Sequence, residues 1–254
     1  YRPAGVIPTG LQQPRGLALT PGGAVLVVGD GKLRQLNTAG VAEAEVSLGG
    51  PVNCVAVGPD GTRYVGRRDH VATYDAAGRR LAQWRPPSAR SYLTSLAVSA
   101  KDVYVADAGQ RVVLRYDTQG NLLGRIGQKD PTRHIPGLVL PSPHLDVAMG
   151  ADGRLRVTNP GRRRVEVYDR DGNLKGAWGR AGQDTAGFCG CCNPTDLALL
   201  PDGRTVTSEK GLPRVKVYDT AGALDAVVAG PDAFASAAAG MDLAVAADGR
   251  VLVL

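Results

Sequence analysis

"TDLALLPDGRTVTS", residues 195–208, reads as two short apolar strands joined by a tight turn. Asp202-Gly203 separates the two runs, and glycine accepts the positive φ that such hairpin turns require. Five further stretches repeat the pattern: "RGLALTPGGAVLVV" (15–28), "NCVAVGPDGTRYVG" (53–66), "TSLAVSAKDVYVAD" (94–107), "LDVAMGADGRLRVT" (145–158) and "MDLAVAADGRVLVL" (241–254). Counted from Leu17 through Val55, Leu96, Val147, Leu197 and Leu243, the spacing runs from 38 to 51 residues. A third strand follows five of them, as in "VVLRYDTQG" (112–120) and "VKVYDTAG" (215–222), and then a fourth, as in "NLLGRIG" (121–127). Four-stranded units at this period are β-propeller blades. The fold expected is all-β: a six-bladed propeller of four-stranded antiparallel blades, in one domain over residues 1–254. The last unit stops at "VLVL" (251–254), so "YRPAGVIPTG" (1–10) is expected to add a strand to it and close the ring.

Composition agrees with many short strands and tight turns. Among 254 residues there are 34 glycines and 17 prolines, with only 5% aromatics. A net charge of +6 suits an acidic protein partner. The basic residues are spread along the chain, however, and stacking aromatics are scarce, which argues against a nucleic-acid groove. No run of eighteen apolar residues exists to form a transmembrane segment. The chain opens on "YRPAGV" without methionine, which reads as a mature or trimmed form whose targeting segment, if any, is gone. A propeller carrying a redox centre suits an exported location, periplasmic or extracellular.

The repeat resembles the NHL-repeat family, most clearly at "LTSLAVSAKDVYVADAGQRVVLRYDTQG" (93–120) and "CNPTDLALLPDGRTVTSEKGLPRVKVYDTAG" (192–222). The first two units depart from its motif at "VVGDGK" and "VGRRDH", which lack the usual acidic residue and spacing. The resemblance implies a propeller but no single function, since such propellers serve as lyases, binding platforms and cofactor holders.

Two connections into inner strands are long: "GQKDPTRHIPGLVLPSPH" (127–144) and "GRAGQDTAGFCGCCNP" (179–194). Both belong to the propeller face where inner strands begin, and long ordered loops are commonly functional. They carry His134, His144, Cys189, Cys191 and Cys192; the fourth cysteine, Cys54, starts the inner strand of unit two. Gly16, Ser95, Asp146, Asp196 and Asp242 align with Cys54 around the channel mouth. The three carboxylates cap local turns or converge as ligands there.

Three chemistries fit the cysteines. A disulfide between Cys191 and Cys192 would span Cα atoms about 3.8 Å apart, below the usual range, whereas Cys189 could pair with Cys192 or Cys54 as an ordinary staple. Thiolate ligation suits an iron–sulfur cluster, zinc or copper(I), with Cys54, His134 or His144 completing the set and Asp146 and Asp196 nearby. A reactive thiol would want a cation beside it, such as Arg180 or Lys210. The reading favoured is a thiolate-ligated metal centre, an iron–sulfur cluster first, in electron transfer with a redox partner.

The resemblance also implies an alternative. Six-bladed members include peptidylglycine-amidating lyases, which hold zinc with three histidines, and this chain has three: His70, His134 and His144. A third possibility is a protein-binding platform with structural disulfides, its docking rim formed by Arg67, Arg68 and Arg162 to Arg164. Trp84 and Trp178, at equivalent fourth-strand positions, are expected to pack internally.

Overall fold

The computed structural model describes residues 1–84, 88–234 and 240–254. Five four-stranded antiparallel sheets follow one another along the chain. The first holds β1 (Pro14–Leu19), β2 (Val25–Gly29), β3 (Lys32–Leu36) and β4 (Ala42–Ser47). The second holds β5 (Cys54–Val57), β6 (Arg63–Gly66), β7 (Val71–Tyr74) and β8 (Arg80–Gln83). The third holds β9 (Leu93–Val98), β10 (Asp102–Asp107), β11 (Val112–Asp117) and β12 (Leu122–Ile126). The fourth holds β13 (Val147–Met149), β14 (Leu155–Asn159), β15 (Arg164–Tyr168) and β16 (Leu174–Trp178). The fifth holds β17 (Asp196–Leu199), β18 (Thr205–Glu209), β19 (Arg214–Tyr218) and β20 (Leu224–Ala229). A sixth sheet has only two strands, β21 (Leu243–Val245) and β22 (Val251–Val253). The inner strands β1, β5, β9, β13, β17 and β21 pack each against the next, and β21 packs back on β1. This is a β-propeller.

The stretch at 195–208 forms as its sequence dictates. Leu200 and Arg204 close the hairpin with a backbone hydrogen bond of 2.9 Å, Gly203 takes φ +89°, and Arg204 N donates to the Asp202 carboxylate at 3.1 Å. β17 then pairs with β18 in the register Asp196↔Ser208 to Leu199↔Thr205.

The blade count expected from sequence is corrected: among the described residues five blades are complete and the sixth sheet has two strands. Residues 1–13 add no strand to it. They run beside the first blade instead, where Arg34 donates to the Thr9 carbonyl at 2.9 Å and the Asp30 carboxylate takes the Gln12 and Gln13 amides at 2.6 and 2.9 Å. Pro3 and Pro8 lack the amide hydrogens that a strand ladder would use. No helix among the described residues is long and apolar enough to cross a membrane.

Neighbouring blades bury apolar seams between them. Leu26, Val28, Val55 and Val65 join blades one and two, while Tyr64, Val71, Leu96 and Val105 join two and three. Each fully buried leucine contributes roughly 1.5–3 kcal/mol. The two tryptophans pack as expected. Trp84 lies between Tyr64 and Tyr116 at 5.9 and 5.2 Å between centroids, and Trp178 stacks on Tyr218 at 4.8 Å. Gly222 backs Trp178 with φ +86°, where an added Cβ would overlap the indole. Gly222→Ala is therefore expected to lose about 1–3 kcal/mol in urea denaturation, from overpacking and backbone strain together.

Candidate functional site at the channel mouth

Four of the six aligned strand-start positions become clasps on the next blade. Ser95 Oγ accepts the Val147 amide at 3.4 Å, Asp146 Oδ2 that of Leu197 at 2.7 Å, and Asp196 Oδ1 that of Leu243 at 3.0 Å. Asp242 Oδ2 accepts the Leu17 amide across the closure of the ring. The carboxylates therefore hold the next blade rather than cap their own turns. Asp146 and Asp196 are buried and Asp242 is partly so. Burial, reinforced by the Asp242 charge, raises Asp146 to about 7, and burial raises Asp242 to about 6. Asp196 is pushed well above the carboxylate range by burial and by its two acidic neighbours.

These carboxyls form the floor of a cavity of about 380 Å³ at the mouth, whose wall includes Asn53, Tyr92, Thr94 and His144. Below them a second cavity of about 280 Å³ runs between the inner strands. His144 is half-buried beside Gly240, its amide donating to the Ser142 carbonyl at 2.7 Å. Burial, with Lys210 nearby, lowers its pKa to about 4, so its imidazole is neutral at pH 7. Lys210 Nζ donates to Ser142 Oγ at 3.2 Å, linking the mouth to the cysteine loop.

That loop is held from below by a buried ionic cluster. Glu209 faces Arg214 at 2.8 Å and Lys216 at 2.6 Å. Its other contact is to the Cys189 amide, which donates at 2.9 Å. Arg214 donates to the carbonyls of Asp184 and Gly187, Lys216 to those of Thr185 and Gly187, and the Tyr218 hydroxyl to that of Ala186. Phe188 is fully buried, with the Lys216 ammonium 4.6 Å from its ring centroid. Arg163 ties down the Gly190 carbonyl at 2.9 Å, and Asn193 bridges to both backbone groups of Lys210. Every segment of the loop is thus anchored.

All four cysteines are free thiols. Cys191 is exposed, Cys192 buried and Cys189 in between. The Cys191 and Cys192 sulfurs lie 3.1 Å apart. Burial opposes ionisation of Cys192, yet hydrogen bonds from Ser142 and Cys191 and the charges of Lys210 and Arg163 lower its pKa overall. The Cys191 thiol is raised by its hydrogen bond to Cys192 and by that neighbour's charge.

Cys54 sits elsewhere. It packs in the core between blades two and three, against Gly66 and Leu96, where burial pushes its thiol up. Of the histidines, His70 pairs with Asp69 at 2.8 Å, and His134 lies exposed on a turn of positive φ. Only His144 lines the mouth cavity. Among the described residues, no three of His, Cys, Asp and Glu come together in a group that could hold a metal ion.

The basic residues also find internal roles. Arg162 and Arg163 donate to the carbonyls of Pro136 and Gly190, Arg164 to Glu166, and Arg67 to the Leu48 carbonyl. Arg180 pairs with Asp184, so of the two cations expected beside the thiols only Lys210 bears on Cys192.

Sequence reasoning missed what secures the loops. Asp107, Asn159 and Glu209, at the ends of β10, β14 and β18, accept the amides of Tyr92, Val139 and Cys189 in the loop leading into their own blade. The signal was present as the acidic or amide position of the repeat. Asp30 does the same for blade one, one place past β2, so "VVGDGK" carries the acidic residue it was expected to lack.

No protein-family model matches the sequence, and no curated protein does, so the NHL resemblance stands on the motif residues alone. Solved structures do resemble the fold. A catalytically inactive variant of virginiamycin B lyase from Staphylococcus aureus, crystallised with quinupristin, superposes with a TM-score of 0.66 at 14% identity, over 98% of this chain and 79% of that one. A streptogramin B lyase gives 0.65 at 13% identity, over 94% and 82%. Hydrazine synthase from Kuenenia stuttgartiensis gives 0.63 at 17%, over 100% and 76%. At such identities the likeness establishes one thing, that this chain shares the β-propeller fold with these proteins.

Proposed function

We propose that the channel mouth binds a small polar molecule and moves a proton on it, in a lyase-like reaction. Asp146 is the proton-exchanging group and His144 the neutral imidazole facing the substrate. The observation that carries this reading is a carboxyl brought to about 7 in the floor of a mouth cavity walled by a neutral histidine. A general acid or base works best when its pKa lies near the working pH, and such groups in a cleft mark reaction sites. The likeness to two propeller lyases supports the same reading.

A thermal-shift screen of small amines, amides and cyclic peptides, quinupristin among them, tests it. A ligand at 100 times its Kd stabilises by about 2.7 kcal/mol, a shift of roughly 5–11 °C in a chain of this size. That shift is expected to vanish in His144→Gln. Where turnover is found, Asp146→Asn is expected to lower kcat by about 10²–10⁴-fold. Ligands that stabilise the wild type and both variants equally would move the site elsewhere. Iron with acid-labile sulfide, zinc or copper in anaerobically purified protein would instead support the thiolate-ligated centre read from the sequence.

A further inference from the structure

The mouth chemistry makes no use of Cys191 and Cys192, although the fold holds them with some care. One sulfur is exposed and the other lies 3.1 Å behind it. Ser142, Lys210 and Arg163 face the inner one, an electropositive setting that favours thiolate character. The flanking backbone is fixed by Glu209 through the Cys189 amide, by Arg163 through the Gly190 carbonyl, and by Asn193 through Lys210. A loop built only for packing would not present two adjacent sulfurs, one of them to solvent and the other beside two cations.

We propose that Cys191 and Cys192 form a reactive dithiol that reduces small-molecule disulfides. Cys191 gives its proton to solvent and its exposed sulfur attacks one sulfur of RS–SR. One RS⁻ leaves and takes a proton from water, and a mixed disulfide remains on Cys191. Cys192 loses its proton to solvent and attacks the Cys191 sulfur, which releases the second RS⁻ to take a proton from water in turn. Two electrons pass from the protein to the substrate: two protein S–H bonds and one external S–S bond are consumed, and one protein S–S bond and two R–SH are formed. A disulfide between neighbours spans Cα atoms about 3.8 Å apart, tighter than the usual range, so a cellular dithiol reductant reopens it readily. The inference stands independently of the mouth site.

The test uses the reduced, full-length protein with oxidised glutathione, followed by mass spectrometry of the intact chain and of its peptides. The expected product is lighter by two hydrogens, carries no glutathione, and shows a link between Cys191 and Cys192. Cys192→Ser is expected to stop at a stable glutathione adduct on Cys191. Cys191→Ser should react far more slowly, and Cys189→Ser as fast as wild type. Stable glutathione on the wild-type chain, or a link that includes Cys189, would overturn the proposal. So would a metal ion that shields the pair until chelated. Peptide mapping of the wild type decides the matter alone should a variant fail to fold.

Discussion

Glu209→Ala is expected to destabilise the protein by about 3–5 kcal/mol, the usual cost of breaking a buried ion pair by removing one partner. Glu209 and Lys216 are both fully buried, and Arg214 nearly so. One carboxylate thus answers two cations shielded from bulk solvent. Burial lowers the Lys216 ammonium and Glu209 holds it up, so the variant would leave Lys216 either charged and unpaired or deprotonated. Urea denaturation with an unchanged m-value checks the size of the loss. A second change, Lys216→Met, is expected to recover part of it, because the uncompensated charge goes with the lysine. The same variant should speed amide exchange at Cys189, whose donor loses its acceptor. A loss under about 1 kcal/mol would mean that water reaches the cluster.

The second large effect concerns pH. Asp146, Asp196 and Asp242 all ionise less readily in the folded protein than at the ordinary 3.8. The folded state therefore binds protons that the unfolded chain has released, and stability falls as pH rises from about 4 to about 7. His144 acts in the opposite sense. With its pKa near 4 against 6.5 unfolded, it costs stability as pH falls through that window. The three carboxyls outweigh the one imidazole, so net stability is expected to decline between pH 5 and pH 8. Asp196→Asn keeps an oxygen to accept the Leu243 amide and removes the charge. It is expected to stabilise the protein at pH 8 by on the order of 1–3 kcal/mol and to leave it nearly unchanged at pH 4. Thermal denaturation across this range measures it, and a variant with the same slope as wild type would show that the three groups do not share their protons.

The fold was legible because its signals are local. Asp-Gly turns at 60–61, 152–153, 202–203 and 248–249 lie between apolar runs, and each glycine takes the positive φ expected of it. The aligned positions 16, 54, 95, 146, 196 and 242 did fall on one ring. What those side chains do was less legible, because a carboxylate that clasps the next blade has the same sequence as one that points at a ligand. Cys54 shows this most plainly. Its strand position is that of the three aspartates, yet its sulfur packs against Gly66, whose missing side chain leaves room for it on the neighbouring strand. The blade count failed for a similar reason. Whether residues 1–13 form a strand depends on Arg34 and Asp30, contacts with a different blade that periodicity does not report.

The clasps at the channel mouth all point the same way around. Ser95 reaches forward to blade four, Asp146 to blade five, Asp196 to the two-stranded sheet, and Asp242 across the closure to blade one. Four of the six sheets are therefore each secured by the one before. A lesion at one of these positions should loosen not the blade that carries it but its successor, so damage in this ring has a direction of travel.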